Sequence, residues 1–168
     1  MPAAKTVATR TFPTKIDIPE PDRQVLIQLL NERMADTVDL YSQVKQAHWN
    51  VKGSDFFQLH ELFDTLADEL FPFIDPLAER VTQLGGVAMG TTRMAASTSA
   101  LPDYPADVTE GARHLKLLID RYALYTAAVR KAIDTSDEHN DKTTADLFTE
   151  ISRHVDKQLW FLEAHVQH

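Results

Sequence analysis

Four stretches of this chain repeat their large apolar residues at steps of three and four, a spacing that only long amphipathic helices can bury on one side. The first begins near Asp22 and runs through Val25, Leu26, Leu29, Leu30, Ala35, Val38, Tyr41 and Val44 to about Asn50, where Lys52 and Gly53 stop it. The second runs from Phe56 through Leu59, Phe63, Leu66, Leu70, Phe73, Leu77 and Val81 to Leu84, then meets Gly85 and Gly86, a strong helix C-terminal signal. The third spans Leu115 to Ile133; the fourth, after a polar loop at 136–140, carries Leu147, Phe148, Ile151, Val155, Leu159 and Leu162. No Val/Ile/Thr-rich run alternates with period two, and only 5 glycines and 8 prolines interrupt the chain, so the expected class is all-α.

Connection lengths order these helices. The links at 51–55 and 136–140 are too short for anything but antiparallel neighbours. The segment 87–105, with Pro102 and Pro105 at its end, is poor in large apolar residues. Its roughly 20 residues, at up to ~3.3 Å each, can cross a helix of about 42 Å. Two helical hairpins joined by one long crossover form a ferritin-like four-helix bundle. At 168 residues and 43% apolar content a single domain is expected, spanning 21–168. Before it, residues 1–20 carry Lys5, Arg10 and Lys15 without helical periodicity and read as a flexible tail.

Cysteine is absent, which removes disulfides, thiolate metal sites and cysteine nucleophiles together. There is no apolar leader and no stretch near 18 apolar residues, so a cytoplasmic location is expected. A formal charge of −8 opposes nucleic-acid binding by the body of the protein and favours cations as partners.

The second helix concentrates the chemistry. His60 and Asp64 stand at i, i+4, and so do Asp75 and Glu79 further along. Imidazole with carboxylate suits ferrous iron, and the same donors accept zinc and other divalent ions. His48, near the end of the first helix, is a third candidate from a facing element. Asp64 and Asp75 are eleven residues and about 16 Å apart along one helix, so they cannot hold the same ion. The midpoint of 60 and 79 coincides with that of 64 and 75, between Glu69 and Leu70. A second copy laid antiparallel across a two-fold axis there brings His60/Asp64 of one chain to Asp75/Glu79 of the other, giving two identical sites per dimer.

The run KQAHWNVKGSDFFQLHELFD at 45–64, with DPLAERVTQLGG at 75–86 and DKQLWFLEAH at 156–165, resembles the Dps family of mini-ferritins, and the similarity extends from about 22 to 166. The resemblance implies a hollow shell of twelve subunits and a ferroxidase site made of His48, His60 and Asp64 from one subunit with Asp75 and Glu79 from its two-fold mate. It implies oxidation of Fe²⁺, preferably by hydrogen peroxide, storage of ferric oxide inside the shell, and protection of the cell and its DNA. It implies that Trp49, beside the first ligand, intercepts stray oxidising equivalents or packs at the dimer interface. It also implies a cation pathway at the start of the fourth helix, where Asp141, Asp146 and Glu150 lie within two turns; helix capping is the plainer role for such acids. Many members bind DNA through lysine-rich tails. Here the tail has three dispersed cations, so DNA remains an open partner, with nucleoid association as its corollary.

Pro72 and Pro76 depart from an uninterrupted second helix. A new segment with Asp75 as N-cap and Pro76 at its first position accommodates them, but divides Asp75 between capping and metal. Lys45 lies one turn before His48; the resemblance implies that it pairs with the ligand-side aspartate, and a solvated cation is the plainer role. Two rivals remain. An E-x-x-H di-iron protein finds no support, because none of the nine glutamates has histidine three residues on. The other is a non-enzymatic shell or nucleoid protein binding DNA.

Overall fold

The computed structural model describes residues 10–167. Among them the elements are α1 (Glu20–Asn50), α2 (Phe56–Leu70), a 3₁₀ turn (Phe71–Phe73), α3 (Ile74–Gln83), α4 (Thr92–Thr98), α5 (Gly111–Glu138) and α6 (Lys142–Ala164). No strand forms in this region; one isolated bridge pairs Lys52 with Glu110. Helix α1 pairs with α2 and α3, α5 pairs with α6, and α1 also packs on α5, which makes the expected four-helix bundle with α2 and α3 as one broken helix.

The apolar periodicity becomes the core. Leu26, Leu30, Met34, Leu40 and Val44 of α1 meet Phe63, Leu66 and Leu70 of α2, Leu77 and Val81 of α3, Tyr122, Tyr125 and Val129 of α5, and Phe148, Ile151 and Val155 of α6, all fully or nearly fully buried. Each such side chain contributes roughly 1.5–3 kcal/mol through burial. The buried Tyr125 hydroxyl is matched to Thr37 Oγ1 at 2.6 Å, so that the phenol enters the core without an orphaned polar atom.

Two helix ends set the bends. After α3, Gly86 N–H reaches Val81 O at 2.9 Å and Gly85 N–H reaches Thr82 O at 3.0 Å, a Schellman closure with Gly85 at φ +87°. A Cβ at Gly85 would lie 2.3 Å from the Phe12 carbonyl oxygen, so the position needs glycine twice over. After α5 the same pair of bonds is made by Asp141 to Ser136 O and Asn140 to Asp137 O, with Asn140 at φ +58°. The chain therefore turns directly from the end of α5 into α6.

Three features differ from the sequence expectation. The first is α4, seven residues inside the crossover, capped by Thr91 Oγ1 accepting from Met94 N–H. Only Ala95 of α4 is buried, so no apolar period announces it. Second, α5 starts at Gly111, before Leu115, and its first turn buries His114. Third, the part of the 1–20 tail that is described is held to the body: Phe12 N–H donates to Gly85 O at 2.8 Å, and Arg23 donates to Ile18 O and Leu84 O, both at 3.1 Å. Lys5 lies outside the described residues.

The crossover is fastened from both sides. The Pro102 carbonyl accepts from Gln43 Nε2 and Arg121 Nε, each at 3.1 Å, and the buried Asp36 accepts from Ala100 N–H at 2.8 Å. His114, fully buried, lies 2.7 Å through Nδ1 from the Tyr104 hydroxyl. Burial holds the imidazole pKa below the ordinary histidine range, reinforced by Arg113 and opposed by the Val108 backbone. The unfolded chain takes up this proton near pH 6.5 and the folded chain only lower. The neutral ring's stabilising contribution is therefore complete above about pH 6.5 and is lost as the pH falls. His114→Gln is expected to flatten part of the decline in guanidinium midpoint between about pH 7 and pH 5. Identical slopes for both proteins would rule this role out.

Candidate metal centre

Helices α1 and α2 approach at their connected ends, where the tight 51–55 link holds them, and this brings His48 and His60 face to face. Their rings stack with centroids 3.7 Å apart and planes 21° apart. Each Nδ1 lies within hydrogen-bond range of the other residue's carbonyl: His48 Nδ1 at 2.8 Å from His60 O, His60 Nδ1 at 2.9 Å from His48 O. An Nδ1–H donated to a carbonyl leaves Nε2 as the lone-pair nitrogen, the arrangement that orients an imidazole for a metal. Asp64 follows one turn after His60, and its Oδ1 is 3.7 Å from His48 Nε2.

Lys45 completes this cluster. Its Nζ is 2.5 Å from Asp64 Oδ1, and it also lies 5.9 Å from the centre of the Trp49 ring. The hydrogen bond from Lys45 holds the Asp64 carboxyl below the usual carboxylate range, with partial desolvation opposing and His48 assisting. The clue in the sequence was Lys45's place one helical turn before His48.

Asp75 and Glu79 stand elsewhere. Both are exposed on α3, and among the described residues neither side chain makes a hydrogen bond or ion pair. With the 3₁₀ turn between, Asp64 and Asp75 are separated by about 18 Å along the broken helix. Asp75 is not an N-cap: Phe73 takes that place with helical dihedrals, and Asp75 and Pro76 follow as the second and third residues of α3. Pro72 sits in the 3₁₀ turn, so both prolines fall in first turns, where a missing N–H loses little. The division of Asp75 between capping and metal therefore does not arise. Among the described residues, no three His, Asp or Glu side chains of one protomer are placed to hold a metal ion together.

The acids at the start of α6 separate by role. Asp141 is buried; it accepts from Arg80 Nη2 at 2.8 and 3.0 Å and caps α6 through Thr144 N–H at 3.0 Å, while also meeting the Thr144 hydroxyl. Burial pushes its pKa up, but these bonds outweigh that and hold it below the usual range. Both oxygens of Asp141, expected with Asp146 on a cation pathway, are thus engaged inside the protomer. Asp146 and Glu150 remain, exposed and one turn apart on α6.

On the elements that carry His48, His60 and Asp64, and on the turn after them, stand exposed aromatic rings. Trp49 is 67% exposed, Phe57 69% and Phe71 59%, an apolar area that in a water-facing surface marks a contact face. Phe56 lies against the His60 ring at 5.1 Å.

Comparison with known proteins agrees with this architecture. Residues 27–168 match the family model of the ferritin-like domain. The chain is 49% identical, over 94% of its length and 98% of the relative's, to the DNA protection during starvation protein of Agrobacterium fabrum, and 35% identical, over 86% and 97%, to that of Brevibacillus brevis. Among solved structures, DpsC from Streptomyces coelicolor superimposes with a TM-score of 0.89 at 33% identity, covering 94% of this chain and 92% of that one. DpsA14 from the same organism superimposes with a TM-score of 0.90 at 29% identity, covering 95% of each. With a bundle broken at the second helix, a long fastened crossover and near-complete coverage of such relatives, this chain belongs to the Dps family of ferritin-like proteins.

Proposed function

We propose that the protein is an iron-storage and detoxification mini-ferritin that oxidises Fe²⁺ at sites shared between two subunits. The observation that carries the reading is the division of the donors. His48 and His60 stack with each Nδ1 turned to a carbonyl and His48 Nε2 lies 3.7 Å from Asp64 Oδ1, while Asp75 and Glu79 stand unengaged further along the broken helix, about 18 Å from Asp64. Only a second copy, antiparallel across the Glu69/Leu70 midpoint, unites them. The exposed Trp49, Phe57 and Phe71 give that dimer an apolar face to bury.

The chemistry follows from the donor set. Imidazole nitrogens and carboxylates bind Fe²⁺, and the added carboxylate charge favours the ferric product. Two Fe²⁺ give two electrons to one hydrogen peroxide, which takes up two protons and leaves as two waters, so no odd-electron oxygen species is released. The reading extends to a dodecameric shell that stores the ferric oxide, with Asp146 and Glu150 at an iron-access path where carboxylates concentrate cations. Zinc competes for the same donors. The relatives named for DNA protection favour a protective role in the cytoplasm, where removing iron and peroxide together spares DNA. Direct DNA contact by this chain depends on Lys5, Arg10 and Lys15, against a formal charge of −8.

Subunit mixing tests the shared site. Shells of His60→Ala/Asp64→Ala and of Asp75→Ala/Glu79→Ala are each expected to oxidise Fe²⁺ slowly. After dissociation and co-assembly, half the dimers are mixed and one of their two sites is intact, so about a quarter of the wild-type fast phase returns. If no activity returns while mixed dimers are demonstrated by mass spectrometry, the site is not divided in this way.

A further inference from the structure

Two rings lie against the His60 imidazole. His48 stacks on it with centroids 3.7 Å apart and planes 21° apart, and Phe56 meets it with centroids 5.1 Å apart and planes 30° apart. Phe56 is the first residue of α2 and stands four residues before His60. A helical side chain leans over the turn that precedes its own Cα, so the His60 ring comes down onto Phe56. The link between α1 and α2 sets where that ring stands. Gly53, at φ +115°, turns the chain, and its carbonyl accepts from Phe56 N–H at 3.2 Å as α2 begins.

We propose that Phe56 is a positioning residue of the metal centre, whose ring keeps the His60 imidazole in the orientation that presents Nε2. The proposal rests on the metal-binding reading above and adds to it a residue that offers no donor atom of its own. The contact between His60 Nδ1 and the His48 carbonyl, at 2.9 Å, fixes one atom of the imidazole and leaves the ring free to swing about it. The two histidine rings limit that swing only together, since each leans on the other. Phe56 is a wall that does not depend on either of them. Without it, ordering of the half-exposed His60 ring would have to accompany metal binding, and the metal would be held more weakly.

The measurement is Co²⁺ binding to the assembled shell, followed by visible absorption without oxidant, so that turnover plays no part. Phe56→Ala is expected to weaken binding at least about tenfold, as loss of a group that only orients a ligand does, and to shift the visible bands of the bound ion. Phe56→Tyr keeps the ring and should match wild type in affinity and spectrum. Phe56 is 44% exposed and lies outside the apolar core, so the alanine variant should fold; if its shell does not form, Phe56→Leu, apolar but without a flat ring, carries the same expectation. A residue that served only the contact face between subunits would change the thermal midpoint and leave Co²⁺ affinity and spectrum at their wild-type values. That result overturns the proposal, as does Phe56→Tyr binding as weakly as Phe56→Ala. Binding that His60→Ala/Asp64→Ala leaves unaltered shows instead that the metal site lies elsewhere, and the role of Phe56 falls with it.

Discussion

His60→Ala/Asp64→Ala is expected to lower the fast peroxide-dependent oxidation of Fe²⁺ by at least about 100-fold while leaving the shell assembled. Removal even of a residue that only orients a ligand weakens metal sites by roughly 10–100-fold, and here one imidazole and one carboxylate are lost outright. Assembly should survive, because His60 and Asp64 are partly exposed and neither belongs to the apolar core of α2, which is Leu59, Phe63, Leu66, Ala67 and Leu70. Their loss leaves no large cavity. Stopped-flow absorbance of ferric product and size-exclusion chromatography on the same sample give the two answers. A rate equal to wild type would sink the site assignment and leave a non-enzymatic shell as the better reading.

Arg80→Met is expected to destabilise the protein by about 3–5 kcal/mol at neutral pH, the largest effect of any single substitution considered. Arg80 is 8% exposed and Asp141 2%; the guanidinium donates to both oxygens of Asp141, to Thr144 Oγ1 at 2.9 Å and to Gln83 Oε1 at 3.0 Å. These bonds tie α3 to the first turn of α6. Removing the arginine strands a buried carboxylate, and that stranded charge is the greater part of the cost. Arg80→Met/Asp141→Asn should recover most of the loss, because asparagine still caps α6 and no charge remains. In the wild type, the depressed Asp141 pKa means that this contribution is complete above about pH 4 and disappears as the pH falls through the folded-state value. In Arg80→Met, Asp141 protonates more readily, so the deficit against wild type narrows on acidification. Guanidinium denaturation at fixed protomer concentration measures all of this; a double variant as unstable as the single one would refute the account.

The two predictions probe opposite kinds of carboxylate. Asp64, partly open to solvent, is paired through one oxygen with a lysine. Asp141, buried, is paired with an arginine whose Nη2 meets both of its oxygens while the other guanidinium nitrogens hold Thr144 and Gln83. Residue type and helix position alone do not distinguish them: both are aspartates on or beside a helix, with a cation brought to them by folding.

Much of the molecule was legible before any tertiary contact was known. The steps of three and four in α1, α2, α3, α5 and α6, the Gly85-Gly86 stop and the short 51–55 link follow local rules of helix geometry and capping, so the bundle and its hairpins could be read directly. So could the palindrome of His60, Asp64, Asp75 and Glu79, because distance along a helix is proportional to distance along the chain. Helix α4 escaped, since a seven-residue helix burying one alanine has no period to detect. What only the tertiary structure decided was which charged groups meet: Lys45 on Asp64 across nineteen residues, Arg80 on Asp141 across sixty-one, and the His48 and His60 rings stacked through each other's carbonyls. These pairings depend on how helices are packed and rotated against one another, a quantity summed over the whole core, and it is they that separate a carboxylate paired at one oxygen and open to solvent from one buried and engaged at both.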